Sequence, residues 1–332
     1  MRILVTGASG FLGGHLIEEM VSKGYDVIGM VRKSSYTGFL RSLGVELRMG
    51  DLTAPESLSQ ATEDIDVVIH LAAYYTFFGK KDLYRKVNVE GTRLLLEAAL
   101  KNGVGRFIYC SSTEAIGPVK NPPAEEDSLP NPSYEYGRSK LEAEKVVRSY
   151  GGRGIEYSIL RPSGIYGPRN VNDISYWFIT AFAKNALPMR IMVGDGKNLI
   201  QFAHVKDVVQ GFLLVLEKSE VSKNQTYFIS EDRAYTYLEV YRILAELCNR
   251  ESPRIHVPPI LAKTFVMPVE LFNRLRGKVD FTWRTSTVND LTSNRAYSVS
   301  KAMRDLGFRP KYDLKTGLKE TIEWYRENGY IS

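Results

Sequence analysis

Apolar positions along this 332-residue chain fall into two alternating rhythms. Short, continuous apolar runs occur at Arg2–Val5, Tyr25–Val31, Val45–Met49, Asp66–Leu71 and Arg106–Ser112. Each is bounded by glycine or polar residues and reads as a strand. The run at Asp66–Leu71 is apolar enough to be buried on both faces, as parallel sheets require. Between the strands, Phe11–Val21, Leu83–Leu100 and Tyr136–Tyr150 carry helical periodicity. Strand–helix alternation of this kind predicts an α/β fold, a doubly wound parallel sheet with helices on both faces. Further on, helices are expected at Asn172–Leu187, Val205–Leu216 and Thr236–Cys248, and a strand at Thr226–Ile229. Thr236 and Glu239 form a capping box at the start of the last helix. The division expected is a sheet domain over 1–168, rejoined by 201–230. A smaller C-terminal α/β lobe takes 169–200 and 231–332.

Composition changes this picture little. Hydrophobic residues make up 44% and charged residues 25%, as in an ordinary globular protein. The net charge of +6 is spread along the chain. That suits an anionic small ligand or a weak membrane-surface contact, and no basic block argues for nucleic acid. Two cysteines, Cys110 and Cys248, form no framework, so reduced thiols and a cytoplasmic setting are expected. The first strand starts at once, and no signal peptide is expected. No uninterrupted apolar run is long enough to span a bilayer.

The first candidate chemistry lies between the first strand and the first helix. Glycines stand at 7, 10 and 13. They let the backbone turn sharply and approach a pyrophosphate, while the helix N-terminus offers free N–H groups and a positive dipole end. Gly7, Ser9, Gly10, Phe11, Leu12 and Gly13 are therefore candidate dinucleotide contacts. The second strand ends in Arg32-Lys33, where an acid would hold a free ribose 2′-hydroxyl and a base a 2′-phosphate. NADP is favoured over NAD. Asp51, followed by Leu52, is placed either to bond adenine or to cap the segment after Pro55. Leu71, Ala72 and Ala73 leave room for a cofactor to pass. His70 reads as a packed core histidine. The aromatic loop Tyr74–Asp82 either lines an apolar substrate pocket or packs on itself.

Tyr136 and Lys140 lie one helical turn apart on one face. A nearby cation favours phenolate and is expected to lower the phenol pKa from about 10 toward neutrality. Such a tyrosine can move a proton at a carbonyl or carbinol oxygen. Ser111 and Ser112, at the end of a neighbouring strand, can hold the same oxygen. Chance alone supplies about one Tyr-x-x-x-Lys pair among 20 tyrosines. A second pair is Tyr297–Lys301, but only Tyr136 follows a strand ending in Ser-Ser.

Several stretches together resemble the extended short-chain dehydrogenase/reductases. They are Thr6–Gly13, His70-Leu71-Ala72-Ala73, Asn88-Val89-Glu90-Gly91-Thr92, Ser111-Ser112, Tyr136-x-x-x-Lys140, Arg161–Pro168 and the C-terminal Leu306–Pro310. The resemblance implies a Rossmann fold with Ser112, Tyr136 and Lys140 as the catalytic set. It adds Asn88, Pro162 and Ser163 to the cofactor contacts. Tyr74, Tyr75, Thr113, Glu114, Ile165 and Arg169 are the candidate substrate contacts. No metal is implied.

The family's branches differ in substrate. Ile200 stands where nucleotide-sugar enzymes usually carry an Arg for pyrophosphate, and isoleucine cannot pair a phosphate. Gly194–Asn198 looks like the hydroxysteroid-dehydrogenase branch. The reading is an NADP-dependent oxidoreductase interconverting a ketone and a secondary alcohol on an apolar molecule. Glu114, aligned with a dehydratase acid, and Arg169, a substitute phosphate contact, keep an epimerase or 4,6-dehydratase using bound NAD as the alternative. A non-catalytic dinucleotide sensor is a third class. The helices at 83–100 and 136–150 resemble those of a homodimer interface. Finally, 257–278 is apolar with basic flanks at Lys263, Arg274, Arg276 and Lys278. It reads as a lid over the substrate lobe or, alternatively, as a membrane-surface contact.

Overall fold

The computed structural model describes residues 1–76, 80–276 and 283–331, with the Arg274 side chain excepted. Phe77 and Phe78 of the aromatic loop and Lys278 of the basic flank lie outside the described residues.

Seven strands form the central sheet: β1 (Arg2–Thr6), β2 (Asp26–Val31), β3 (Glu46–Met49), β4 (Val67–His70), β5 (Arg106–Cys110), β6 (Glu156–Pro162) and β7 (Gln225–Ile229). Their order across the sheet is β7-β6-β5-β4-β1-β2-β3. Every neighbouring pair is parallel. The order reverses between β1 and β4, so a crevice opens beyond their carboxyl ends, where open α/β sheets bind ligands. Strand alternation sorts the core into two layers. Ile3 and Val5 face α1 (Phe11–Ser22) through Leu16, Ile17 and Met20. Leu4 and Val68 face the opposite layer, with Leu95 and Leu96 of α2 (Gly91–Lys101) and Val147 of α3 (Glu135–Gly151).

A third core lies beyond the sheet. It joins α4 (Ile174–Ala183), α6 (Tyr237–Cys248) and α9 (Leu314–Glu327) through Ile179, Tyr241, Leu244 and Tyr325. Between α4 and α6, helix α5 (Val205–Glu217) returns to the sheet core through Val208 and Phe212. The capping box of Thr236 and Glu239 forms as the sequence predicts. Ala302, Leu306 and Phe308 also pack in the sheet core, so the C-terminal stretch does not stay wholly with the lobe.

One segment departs from the expected pattern. The helix expected over Leu83–Leu100 is interrupted. One α turn at Lys81–Tyr84 gives way to π-helix at Arg85–Glu90 before α2 begins. The widened turn carries Asn88, whose amide inserts into neighbouring backbone; π segments commonly mark such sites. The apolar run after Val257 is helical despite its prolines. Helix α7 (Pro259–Leu275) contains Pro268 internally, and Pro259 takes the first position, where its missing N–H costs nothing. Helix α8 (Thr285–Leu291) packs beside it. Among the described residues, no helix is long and apolar enough to cross a membrane.

Candidate active site

The glycine turn after β1 is closed tightly by its surroundings. Gly7 adopts φ +70°, and a Cβ there would lie 2.8 Å from the backbone nitrogen of Ala72. A Cβ on Gly13 would collide with the carbonyl of Gly7. Only glycine fits either position. Gly10 caps α1 without a side-chain bond, so the first N–H groups of the helix are not claimed by a capping side chain. That donor set suits a pyrophosphate. Ser9 and Gly10 are exposed, and Phe11 stands edge-on to His15 with ring centroids 5.4 Å apart. Leu12, Leu71, Ala72 and Ala73 are half-buried. Arg32 and Lys33 are exposed at the end of β2. Asp51 lies close enough to Arg32 to feel its charge, but hydrogen bonds from Thr53 dominate in holding its carboxyl below the usual range. It does not cap the helix after Pro55, whose N-cap is Ala54. Instead it closes a turn by accepting from the Thr53 N–H and hydroxyl at 2.8 and 2.7 Å. Leu52 is buried against Gly91.

His70 is buried, as expected, but it is not without partners. The Ala72 N–H donates to Thr6 Oγ1 at 3.2 Å, and Thr6 Oγ1 meets His70 Nδ1 at 2.7 Å. On its other side His70 Nε2 meets Thr92 Oγ1 at 3.0 Å, and Thr92 donates to the Asn88 carbonyl at 2.6 Å. One neutral tautomer, protonated at Nε2, satisfies this entire chain. Burial, assisted by Lys140, pushes the His70 pKa down to about 3, which keeps the ring neutral. The chain ties the glycine turn, β4 and the π segment together. Asn88 extends it by donating to Ser139 Oγ at 2.9 Å and clamping both backbone groups of Tyr74.

Tyr136 and Lys140 lie on the first turns of α3 and converge beside the end of β5. Lys140 Nζ donates to the Cys110 carbonyl at 2.6 Å and lies 5.8 Å from the Tyr136 ring centroid. It also sits 4.8 Å over the Tyr109 ring. Ser112 hydrogen-bonds the Tyr136 phenol and accepts from the Glu114 N–H at 3.1 Å. Ser111 does not share this role. Strand alternation turns it inward, where it donates to Glu144 Oε1 at 2.5 Å. Glu144 is in turn held bidentately by Arg161 at 2.8 and 2.7 Å. The expected loosening of the phenol proton is not present in this state. Burial raises the Tyr136 pKa well above its ordinary value, and Cys110, Asp173 and Glu114 push the same way. The Ser112 hydrogen bond opposes them. Burial also lowers Lys140.

Above Tyr136 lies a cleft of about 580 Å³ between the sheet and the third core. Its wall includes Ile165, Phe178, Ile200 and Tyr241 together with Ser112 and Tyr136. Size and apolar lining are those of a small-molecule site. Tyr75 stands edge-on to Tyr136, with ring centroids 4.9 Å apart. Tyr74 instead packs edge-on to Tyr84 at 5.0 Å, and its backbone rather than its ring is what Asn88 uses. Thr113 is buried at the cleft wall. Pro162 and Ser163 line the same cleft, and Ser163 Oγ lies 2.6 Å from Ser230 Oγ.

Two expected substrate contacts are otherwise engaged. Glu114 is not a solvated acid: Arg295 Nε donates to its Oε1 at 3.0 Å, and Arg295 Nη2 lies 2.8 Å from Asp290. Burial pushes the Asp290 carboxyl up to about 7, opposed by Arg295. Arg169, meanwhile, has left-handed backbone (φ 70°) that turns it toward α1. There it pairs with Glu18 at 2.5 Å, bonds His15 at 2.6 Å and stacks 4.7 Å over Phe39. It does not line the cleft. The second Tyr-x-x-x-Lys pair diverges: Tyr297 donates to the Gly117 carbonyl at 3.0 Å, and Lys301 to Gln225 at 2.9 Å. Arg295, Asp290 and Asp173 line the cleft although no sequence motif announced them. Among the described residues, no cluster of metal-ligating side chains is present.

Similarity to known proteins agrees with this arrangement. A family model described as the NAD-dependent epimerase/dehydratase family matches residues 3–230. A 3-beta-hydroxysteroid dehydrogenase of Mycolicibacterium neoaurum is 28% identical, the match covering 98% of this chain and 92% of that protein. Sterol demethylase protein B of Methylococcus capsulatus is 28% identical over 100% of both chains. The solved structure of a dTDP-glucose 4,6-dehydratase, DesIV from Streptomyces venezuelae, with NAD bound, superposes with a TM-score of 0.79 at 25% identity, over 100% and 99% of the two chains. The set of relatives thus spans dehydrogenase and dehydratase chemistry on one scaffold. Sheet order, glycine turn and family match agree: this chain belongs to the NAD-dependent epimerase/dehydratase family of extended short-chain dehydrogenase/reductases.

Proposed function

We propose that the protein is an NADP-dependent oxidoreductase interconverting a ketone and a secondary alcohol on an apolar small molecule of sterol, flavonoid or lipid-like character. The observation that carries this reading is the cleft, where an apolar wall surrounds Ser112 and Tyr136 while the one dehydratase-like acid, Glu114, is neutralised by Arg295. Glu114 Oε1 is already taken by the Arg295 Nε–H at 3.0 Å, which ties the carboxylate to the cleft wall. Sterol-acting relatives support an apolar substrate. The dehydratase reading draws on DesIV, but Ile200 offers no charge to a sugar-nucleotide phosphate at the cleft wall.

In this reading Ser112 and Tyr136 hold the substrate oxygen between two hydroxyls. Tyr136 gives its proton to that oxygen in reduction and recovers it in oxidation. Lys140, fixed by the Cys110 carbonyl, places positive charge beside the phenolate formed when the proton leaves. The dinucleotide would rest on Gly7, Ser9, Gly10, Phe11, Leu12 and Gly13, with Arg32 and Lys33 at a 2′-phosphate. Asp51, Leu52, Leu71, Ala72, Ala73, Asn88, Pro162 and Ser163 would border the rest. When bound, nicotinamide supplies hydride chemistry at the carbon bearing that oxygen. The domain division follows: 1–168 with 201–230 for the dinucleotide, 169–200 and 231–332 mainly for the substrate. A cytoplasmic homodimer joined through α2 and α3 completes the proposal, with Cys110 and Cys248 as free thiols.

The test is cofactor stoichiometry across ketone and sugar-nucleotide panels. Net NADPH oxidation with an apolar ketone supports the reading. Turnover of a sugar nucleotide without net cofactor change identifies an epimerase or dehydratase. Dinucleotide binding without turnover on either panel identifies a sensor.

A further inference from the structure

Helix α7 is apolar on more of its surface than the fold can bury. One side packs on α8 through Ala262, Val266 and Val288, with Val193, Val257 and Trp283 around them. The opposite side is bare. Among the described residues, seven of the sixteen exposed large hydrophobics lie on this one helix. The six most exposed are Ile260, Phe265, Met267, Leu271, Phe272 and Leu275, from 52% to 79% accessible. At about 100° per residue these side chains span an arc of roughly 160°. Isolated exposed leucines mean little, but a continuous patch of this kind marks an interaction site.

The borders of the arc are basic. Lys263 lies at one edge and Arg276 at the other, where Arg276 stacks 4.2 Å over Phe272. The helix's own acid, Glu270, is turned away toward α8. It accepts from the Thr285 N–H at 2.9 Å and the Thr285 hydroxyl at 2.8 Å. The face presented outward is therefore apolar with positive edges, on a chain of net charge +6. Location adds meaning, since α8 contributes Ser286, Thr287, Asp290 and Leu291 to the cleft wall. One helix thickness separates the apolar face from the substrate site.

We propose that α7 docks on an anionic phospholipid surface, lying in the interface plane with its bare face among the acyl chains and Lys263 and Arg276 among the headgroups. A wide apolar stripe edged by cations is the pattern of interfacial helices. A second copy of this chain fits less well, because two such faces would bring their cationic edges together. That the docked helix also passes apolar substrate to the cleft rests on the function proposed above; the docking itself does not.

Vesicle flotation reads docking without turnover. The intact protein is expected to float with phosphatidylcholine vesicles containing phosphatidylglycerol, and far less with phosphatidylcholine alone. Phe265→Ser/Leu271→Ser/Phe272→Ser should weaken the partition about tenfold or more. Lys263→Glu/Arg276→Glu should remove the preference for anionic lipid and its salt sensitivity. A Phe265→Trp reporter, which changes little at an exposed position, should blue-shift on vesicles and be quenched by brominated lipid. Absence of flotation on anionic vesicles with no shift of that reporter overturns the proposal. So does a triple-serine variant that floats like the parent. If vesicles are ignored and the triple variant turns a solution dimer into monomers, α7 is covered by a second copy and the proposal fails.

Discussion

The crevice between β1 and β4 and the α7–α8 corner are built on opposite terms. At the crevice the side chains of Thr6, His70, Thr92 and Asn88 are all hydrogen-bonded. The chain from Ala72 through Thr6, His70 and Thr92 to Asn88 links three elements, and Gly7 and Gly13 leave no room for a single added carbon. At the corner, three buried residues, Ala262, Val266 and Val288, centre the packing, and most of α7 faces outward. A group that must meet a reacting atom within a fraction of an ångström needs the first kind of support. A surface that admits an apolar substrate needs access and contact area. The packed side holds its groups in place, and the sparse side leaves an apolar face exposed.

Breaking the packed side should have the largest effects. Tyr136→Phe removes the proton donor while keeping the ring against Tyr75. We expect kcat to fall by about 10³-fold with dinucleotide affinity nearly unchanged, read by steady-state kinetics and cofactor titration. Next, Arg295→Ala would strand Glu114 and Asp290 in the cleft wall. A loss near 3 kcal/mol is expected in chemical denaturation. Arg295→Ala/Glu114→Gln should restore part of it, because the second change removes one stranded charge.

Smaller changes sharpen the comparison. Arg32→Ala should weaken NADPH about tenfold more than NADH, since one charge-assisted phosphate contact is lost. Equal weakening of both would remove the case for NADP. The smallest effect concerns pH. Burial raises the Glu231 carboxyl to about 8 from its ordinary 4.5, despite hydrogen bonds from Tyr235 and Tyr166. A raised acid binds its proton more tightly folded than unfolded, so its contribution to stability falls as pH rises from about 4.5 to about 8. Glu231→Gln should flatten that part of the Tm–pH curve, and an unchanged slope would assign it to other groups.

Much of the packed side was legible because its signals are local. The glycine turn, the Tyr136–Lys140 pair and the Thr236 capping box each depend on residues a few positions apart. Ser111 and Ser112 could have been separated by strand alternation alone, since consecutive side chains point to opposite faces. The Glu114–Arg295 pair could not be read, because 181 residues separate its members. The left-handed backbone that sends Arg169 to α1 carries no glycine to announce it. Nor does periodicity reveal the π segment at Arg85–Glu90, whose extra width shows only in its hydrogen bonds. The same limit applies to α7: its apolar run was visible, but which side would be left bare depended on where α8 packs.

The most direct measurement is the ratio of NADPH oxidised to alcohol formed by the purified protein with an apolar ketone, repeated with Tyr136→Phe. We expect a one-for-one ratio that vanishes with the phenol hydroxyl. Rapid turnover of a nucleotide sugar with no net change in cofactor, or full ketone reduction by the Phe variant, would contradict the role given to Tyr136 and its apolar cleft.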